Sequence, residues 1–335
     1  MRSMDGLRFA VGTLSVFPVR VQRVDRQVAG RAMALAPAVG LVLGLAGGLP
    51  LVLFGERPLL AAALALALLA LLTRALHLDG LADLADGLGS AKPADQALDI
   101  MKKSDIGPFG VVTLVFTLLV QVTALVSISP PGDASYTAFH AAPYARYAAL
   151  VTACLAGRLA LTWACRAGVP AARPDGLGAM VAGTVRRPAA VLVTLAAVLA
   201  AAAIGLLSAP GPAPMDDRPA VDGLSMDDRP AVDGFINLRA VVVQGCPLDV
   251  AAFPDCPEPA VPGMRYGEAS GLLPGGIAAL GRTLAAPIAL LAGLAAALLL
   301  LGRARRRLGG VTGDVLGALV ETAATVTLVA YALLA

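Results

Sequence analysis

The sequence predicts an all-α, polytopic membrane protein with about seven transmembrane helices. Hydrophobic residues make up 58% of the chain and charged residues only 15%, where a soluble domain carries about 25% charged residues. The mean hydropathy is +0.78, which is typical of a chain that is largely embedded in lipid. Apolar residues also occur in runs of roughly 20, the length at which a helix crosses a bilayer.

Seven apolar segments are long enough to span, and one near the N-terminus is not. Residues 6–19 are too short and are predicted to form an interfacial or re-entrant helix. The predicted spans cover residues 33–54, 58–76, 110–129, about 142–165, 188–208, 277–301 and 312–335.

The positions of lysine and arginine predict how these spans are oriented, because cytoplasmic loops are enriched in both residues. With a cytoplasmic N-terminus, the basic segments 77–109, 166–187 and 303–307 all lie on the same side. Segments 130–137 and 209–275 then lie outside. The sequence therefore predicts a multi-pass membrane protein with a cytoplasmic N-terminus. It contains no nucleic-acid-binding motif, and it leaves the oligomeric state open.

The external segment 209–275 is predicted to be an insertion in what is otherwise one membrane domain over residues 1–335. It is rich in Pro and Gly, and the nonapeptide MDDRPAVDG at 215–223 recurs at 226–234. Such composition is typical of a largely disordered segment. Cys246 and Cys256 could form a disulfide there, and the sequence leaves that pairing open.

Three aspartates follow the second predicted span, in HLDGLADLADGLGS at residues 77–90. At about 100° per residue, a helix places Asp79, Asp83 and Asp86 on one face. Like charges on one face repel, and no Lys or Arg lies between Arg74 and Lys92 to balance them. Hard oxygen ligands in this number suit Mg²⁺, or alternatively Mn²⁺. The competing interpretation is a solvated acidic loop at the membrane edge. His77 points away from the aspartate face, so a histidine-based site is not expected.

A second acidic pair lies in the last predicted span, in LGGVTGDVLGALVETAA at residues 308–324. Asp314 and Glu321 are seven residues apart and share a helix face. Ionisable groups inside a membrane normally face a polar cavity or a partner. Gly313 and its neighbouring glycines allow a helix or a ligand to approach closely. Since Asp314 is predicted on the same side as the aspartate cluster, the two acidic faces are predicted to form one site. A helix-packing glycine motif with incidental acids is the alternative.

Basic residues near glycine-rich turns are candidate phosphate contacts. Lysine beside such a turn can hold phosphate through its charge and free backbone amides. Ordinary positive-inside anchoring, and snorkelling for the intramembrane Arg158, are the alternatives. The predicted substrate-binding residues are Lys102, Lys103, Ser104, Arg158, Arg173 and Gly313.

Four stretches of this chain together resemble one family: HLDGLADLADGLGS, IMKKSDIGPFG, ARPDGLGA and GGVTGDVLGALVE. They are similar to the cobalamin synthases, which are adenosylcobinamide-GDP ribazoletransferases, also called cobalamin-5′-phosphate synthases. The similarity covers nearly the whole chain except 209–275. It implies a Mg²⁺-dependent integral membrane enzyme of vitamin B12 assembly.

The resemblance also implies a reaction. The substrates would be adenosylcobinamide-GDP and α-ribazole or its 5′-phosphate. A ribose hydroxyl would attack the phosphorus attached to cobinamide, and GMP would leave. A cation on the aspartate face would neutralise the diphosphate, and a carboxylate such as Asp86 or Asp314 would accept the proton. The predicted catalytic residues are Asp86, Asp314 and Glu321.

Two alternative functions are compatible with the sequence. CDP-alcohol phosphotransferases and membrane prenyltransferases also use aspartate-rich helices with Mg²⁺. An ion-coupled transporter would also have several spans with intramembrane acids, and it would hold them near the bilayer midplane rather than at one face.

Overall fold

The computed structural model of the protein describes residues 2–21, 23–128, 136–208 and 275–334. These residues form helices and short loops without any β-strand, which confirms the all-α prediction for this part of the chain. Two isolated bridges, Arg166 with Val185 and Ala171 with Val311, tie loops together. Most of the predicted insertion, with Cys246 and Cys256, lies outside the described residues.

Within the described ranges the chain is divided into the following helices: α1 Arg2–Leu14, α2 Arg26–Gly47, α3 Leu49–Leu53, α4 Pro58–Leu72, α5 Leu76–Gly89, α6 Ala94–Ile100, α7 Pro108–Ser127, α8 Tyr136–Ala164, α9 Gly176–Val181, α10 Arg187–Ser208, α11 Gly275–Leu308 and α12 Gly313–Leu334.

The membrane-crossing elements agree with the polytopic prediction. α4 and α5 are long and apolar enough to cross a membrane only when they are taken together. The chain bends by 89° between them. The described residues therefore contain six candidate spans, or seven if the bent pair counts as one. The six are Arg26–Leu53, Pro108–Ser127, Ala141–Ala164, Arg187–Ser208, Thr283–Leu308 and Gly313–Leu334.

The bend before α5 changes the second predicted span. α4 ends at Leu72, and the hydroxyl of Thr73 donates to the Leu69 carbonyl at 2.9 Å. Arg74 and Ala75 then adopt positive φ angles of 55° and 52°. Side chains disfavour this left-handed conformation, so the bend is held by the surrounding structure. The predicted helix over 77–88 is present as α5, turned sharply away from α4.

α8 is the central helix of the bundle. Of the residues in the most apolar part of α8, 89% are buried inside the protein. In α7 and in α10 only 22% of the equivalent residues are buried. α7 and α10 are therefore peripheral, and their exposed leucines face the bilayer. Small residues let the inner helices approach: a β-carbon on Gly157 of α8 would lie 2.9 Å from the Val320 carbonyl oxygen of α12. Close packing of small residues drives helix association where no water is available.

α1 is the short N-terminal helix that the sequence analysis assigned to residues 6–19. It has 13 residues, too few to span, and it packs on α2 through Phe9, Ala10 and Leu14, all of which are buried.

The close contact at Gly157 predicts that alanine destabilises the protein there but not at Gly302. Gly157→Ala should lower the free energy of unfolding by about 1–3 kcal/mol, because backbone on α12 has no room to move. Gly302→Ala in α11 is the matched control, since its nearest neighbour would be 3.6 Å away, and it should be neutral or stabilising by about 0.5–1 kcal/mol. Thermal unfolding in detergent compares the two. Equal stability of both variants would contradict the packing proposed here.

Candidate active site

Several loops meet at one end of the helix bundle. The Arg173 guanidinium donates to the backbone carbonyl of Leu98, and Arg307 donates to the carbonyl of Lys92. Each contact joins segments that lie far apart in the sequence. The segments 77–109, 166–187 and 303–307, which are predicted on one side of the membrane, therefore come together.

A cavity of about 380 Å³ opens among these segments. Its charged lining consists of two cations, Lys102 and Arg173, and three acids, Asp79, Asp175 and Asp314. Glycines at 176 and 313 leave its wall open to backbone contact, because a β-carbon there would meet no atom closer than 3.9 Å. The cavity is lined by both carboxylates and cations. It therefore suits an anionic ligand that carries a bound metal cation, because the basic side chains can contact the anion and the carboxylates can contact the cation.

The aspartate helix reaches this cavity through a close crossing of α5 and α12. A β-carbon on Gly80 would lie 2.8 Å from the Asp314 carbonyl oxygen and 3.2 Å from the Cα of Gly317. Only glycine at both positions permits this approach. Asp83, half-buried on the same helix, consequently feels the charges of Asp79, Asp86 and Asp314. Asp79 of α5 and Asp314 of α12 therefore line one cavity as predicted, whereas Asp83, Asp86 and Glu321 are not among its lining residues.

Asp314 stands in the first turn of α12 and is held there by its neighbours. The hydroxyl of Thr312 donates to a carboxylate oxygen of Asp314 at 3.2 Å and accepts the Val315 amide at 3.2 Å. Arg173 lies across the cavity, with its Nη1 atom 3.7 Å from an Asp314 oxygen. A carboxylate at a helix N-terminus beside a guanidinium is electrostatically favoured.

Arg173 retains unused hydrogen-bonding capacity. Its two terminal nitrogens face the Leu98 carbonyl and Asp314, but its buried Nε atom has no partner within the described residues. Unpaired buried donors are rare because each costs about 1–3 kcal/mol. This free N–H is therefore available to a bound anion.

Asp86 has a different environment from the other two aspartates of α5. It is buried, and its two carboxylate oxygens accept the Gly107 amide at 2.8 Å and the Gly110 amide at 3.0 Å. Those amides belong to the first turn of α7, whose own N-cap residue, Gly107, has no side chain. Asp86 therefore caps α7 from a distance. Its predicted roles as metal ligand and base are untested and stay predictions.

Arg158 and Glu321 lie together in a second, smaller cavity of about 50 Å³. Glu321 accepts a hydrogen bond from the Gln121 amide at 3.0 Å, and the same amide donates to Thr325 at 2.9 Å. Arg158 is 4% exposed, and its Nε atom has no partner in the described part of the chain. The structure thus separates this pair from the cavity that Asp79 and Asp314 line.

The predicted residues of the loop after α6 differ in position. Lys102 lines the larger cavity, whereas Lys103 and Ser104 are exposed and are not among its lining residues. Within the described ranges, no three His, Cys, Asp or Glu side chains form a ready-made metal site. A divalent ion bound here would therefore need ligands from its substrate as well.

Two titratable residues that line the cavity, His77 and Asp175, were not among the predicted site residues. His77 was expected to point away from the site, but it is buried and lines the cavity with Asp79. Asp175 also lines it, two residues after Arg173 in the same glycine turn, and that proximity is the signal that could have found it.

The fold and the cavity together define a multi-pass membrane protein with a mixed-charge site for an anionic ligand at one end of its bundle. The chain belongs to the cobalamin-5-phosphate synthase family, whose model matches residues 6–216 and 264–332. The match leaves out residues 217–263, within the predicted insertion.

Three curated relatives illustrate the similarity, and each is named adenosylcobinamide-GDP ribazoletransferase. The protein of Frankia casuarinae is 45% identical over 219 residues, which cover 62% of this chain and 74% of the relative. That of Nocardioides sp. is 44% identical over 194 residues, covering 56% and 77%. That of Bradyrhizobium diazoefficiens is 37% identical over 211 residues, covering 59% and 73%. No solved structure matches the chain. These findings give no support to the CDP-alcohol phosphotransferase, prenyltransferase or transporter alternatives.

The backbone contacts of Asp86 predict a structural penalty when it is removed. Asp86→Ala should lower the free energy of unfolding by about 1–3 kcal/mol, because the Gly110 amide is left buried and unpaired. Asp99→Ala, which removes an exposed aspartate from α6, should leave stability nearly unchanged. Thermal unfolding of the purified proteins measures both. A melting temperature for Asp86→Ala equal to that of the control would show that the cap is unimportant.

Proposed function

We propose that this chain is an adenosylcobinamide-GDP ribazoletransferase. It transfers the cobinamide phosphate of adenosylcobinamide-GDP onto a ribose hydroxyl of α-ribazole, or of α-ribazole 5′-phosphate. A new P–O bond forms to the ribose, the P–O bond to the GMP moiety breaks, and GMP leaves. The observation that carries the proposal is the single cavity shared by Asp79, Lys102, Arg173 and Asp314, in a chain of this family.

The cations of the cavity hold the diphosphate. Phosphoryl transfer depends mainly on positioning and on neutralising the charge of the phosphate oxygens. Arg173 offers its unpartnered Nε–H, and Lys102 brings a second positive charge from the opposite loop. Gly176 and Gly313 let phosphate oxygens approach the backbone without meeting a side chain.

Asp314 is the carboxylate best placed to accept the proton of the attacking hydroxyl. It lines the cavity, and the polar side chains that its carboxylate meets within the described ranges are Thr312 and, at 3.7 Å, Arg173. Asp86 is already occupied by two amides, and Glu321 lies in the smaller cavity with Gln121. We therefore assign the base to Asp314, and we assign Asp86 and Glu321 to holding α7 and α12 in place. Arg158 shares the smaller cavity and supports the helices rather than the phosphate.

The acids of α5 fit a Mg²⁺ ion that is shared with the substrate, with Mn²⁺ as a substitute. Mg²⁺ is usually held by one or two carboxylates, by waters and by substrate phosphates. Asp79 and Asp83 would supply the carboxylates, and this small number agrees with the lack of a three-ligand cluster among the described residues. When bound, the ion would neutralise charge on the diphosphate and on departing GMP.

Replacing the proposed base tests the catalytic assignment. Asp314→Asn should lower kcat by about 10²–10⁴-fold, the usual contribution of a general base, while the protein still folds. Asp95→Asn, on the exposed surface of α6, is the matched control and should retain full activity. GMP release from adenosylcobinamide-GDP in the presence of α-ribazole is measured in membranes, with a CDP-alcohol as the control substrate. Full activity of Asp314→Asn would exclude it as the base.

Metal dependence is tested separately. Chelation of Mg²⁺ should abolish GMP release, and added Mg²⁺ or Mn²⁺ should restore it. Asp79→Asn and Asp83→Asn should each raise the Mg²⁺ concentration needed for half-maximal rate by about 10–100-fold, because a carboxylate ligand is lost. The readout is the Mg²⁺ titration of the rate. Unchanged titrations for both variants, or activity that survives chelation, would remove the ion from the proposal.

We further propose that the protein spans the bacterial inner membrane with its N-terminus and active site in the cytoplasm. The distribution of Lys and Arg among the loops supports this orientation. In a Cys246→Ser/Cys256→Ser background, the remaining cysteines Cys154 and Cys165 are buried.

A membrane-impermeant maleimide then reports orientation in that background. Lys92→Cys, near the cavity end, should be labelled in inverted vesicles and not in intact cells. Glu56→Cys, in the exposed turn between α3 and α4, should show the opposite pattern. Labelling of Lys92→Cys from outside intact cells would reverse the proposed orientation.

A further inference from the structure

Three arginines from separate parts of the chain meet around the loop that follows α8. Arg305, in the last turn of α11, directs its Nη2 atom to the Gly168 carbonyl oxygen at 3.4 Å. Arg187 begins α10, and its Nη2 atom would lie 3.5 Å from a β-carbon on Gly168. Arg166 lies two residues before Gly168. The three guanidinium groups therefore surround one exposed turn.

The turn around which these arginines lie is held by backbone hydrogen bonds. The Ala167 amide donates to the Val185 carbonyl at 2.7 Å, and the Val185 amide donates to the Cys165 carbonyl at 3.0 Å. Arg166 is also fixed over the ring of Trp163, with its guanidinium carbon 5.5 Å from the ring centroid. The cluster is thus a defined arrangement rather than three independent surface side chains.

Nothing within the described residues balances this charge. None of the three arginines forms an ion pair with an acidic side chain in the part of the chain that the structure describes. Burial and the neighbouring charges of Arg305 and Arg187 lower the pKa of the Arg166 guanidinium. Arg187 also stands at a helix N-terminus, where the helix dipole disfavours a cation. Like charges held together in this way are stabilised by an anion between them.

The surroundings of the cluster point to a lipid as the source of that anion. Leu192, Leu195 and Leu199 continue from Arg187 along α10, and all three are exposed. They form the lipid-facing side of a helix of which little is buried. Trp163 donates from its indole nitrogen to the Thr194 hydroxyl at 2.9 Å, in the position of an interfacial tryptophan. Acyl chains along α10 would therefore place a headgroup beside the arginines.

We propose that Arg166, Arg187 and Arg305 form a binding site for the phosphate diester of an anionic phospholipid. The site lies between the ends of α8, α10 and α11, and none of its residues lines the cavity that the proposed reaction uses. Its ligand is a structural lipid that the three guanidinium groups hold against the exposed face of α10.

The experiment uses the full-length protein in nanodiscs of phosphatidylcholine, with or without phosphatidylglycerol. Phosphatidylglycerol should raise the melting temperature of the natural protein, and native mass spectrometry should detect retained phosphatidylglycerol. The triple variant Arg166→Gln/Arg187→Gln/Arg305→Gln should lose most of that rise and most of the retained lipid. Arg186→Gln/Arg303→Gln/Arg306→Gln removes the same charge from exposed arginines on the same side of the membrane, and it should keep both.

Three results would overturn the proposal. The first is a natural protein that phosphatidylglycerol does not stabilise. The second is a control variant that loses as much of the melting-temperature rise and of the retained lipid as the triple variant. The effect of phosphatidylglycerol would then depend on net charge and not on these three arginines. The third is full stabilisation by inorganic phosphate added to phosphatidylcholine nanodiscs, which would make the ligand a free anion. If the triple variant does not fold, Arg187→Gln alone removes an exposed charge and is compared with Arg186→Gln.

Discussion

The crossing of α5 and α12 at Gly80 and Gly317 is the contact on which the cavity depends. Each glycine faces the backbone of the other helix, so neither position has room for a side chain. The crossing brings Asp79 and Asp83, which precede the basic loop after α6, next to Asp314 near the other end of the sequence. This close approach sets like charges against one another, and their repulsion has to be offset by cations. The cations of the intervening loops, Lys102 and Arg173, then meet the acids across a shared space.

The carboxylates near this crossing differ because their immediate partners differ. Asp86 is satisfied by backbone amides and ties α5 to the start of α7. Asp314 faces Arg173 at 3.7 Å and keeps room for a ligand. Glu321, two helical turns further along α12, is bound to Gln121 inside the bundle. Carboxylates thus cap a helix at Asp86, face the cavity at Asp314 and join helices at Glu321, and the distinction comes from which hydrogen-bond donors each oxygen meets.

Hydropathy, charge and helical spacing predicted most of the helices and the meeting of Asp79 with Asp314, but not the separate position of Glu321. Both signals are strong because lipid tolerates few polar residues, so each exception to the apolar pattern is informative. The role of Asp86 could not be predicted, since its partners lie 21 and 24 residues away and are backbone groups. The bend at Arg74 and Ala75 also gave no signal, because neither residue is glycine or proline. His77 and Asp79 lie about 200° apart on an ideal helix, yet one cavity wraps around both sides of α5.

The shortness of α4 affects how deep the reaction centre lies. With 15 residues, α4 is about 22 Å long, whereas the hydrocarbon layer is about 30 Å thick. A chain that enters α4 at the far interface therefore turns into α5 several ångströms before it reaches the near one. In the proposed orientation, this would place the aspartates of α5 at the depth of the cytoplasmic lipid headgroups, with less bulk water around them than in the cytoplasm. Where water is restricted, hydrolysis of a phosphate ester competes poorly with transfer of the phosphate to an alcohol. This gives a physical reason for a phosphate-transferring enzyme to be built into a bilayer.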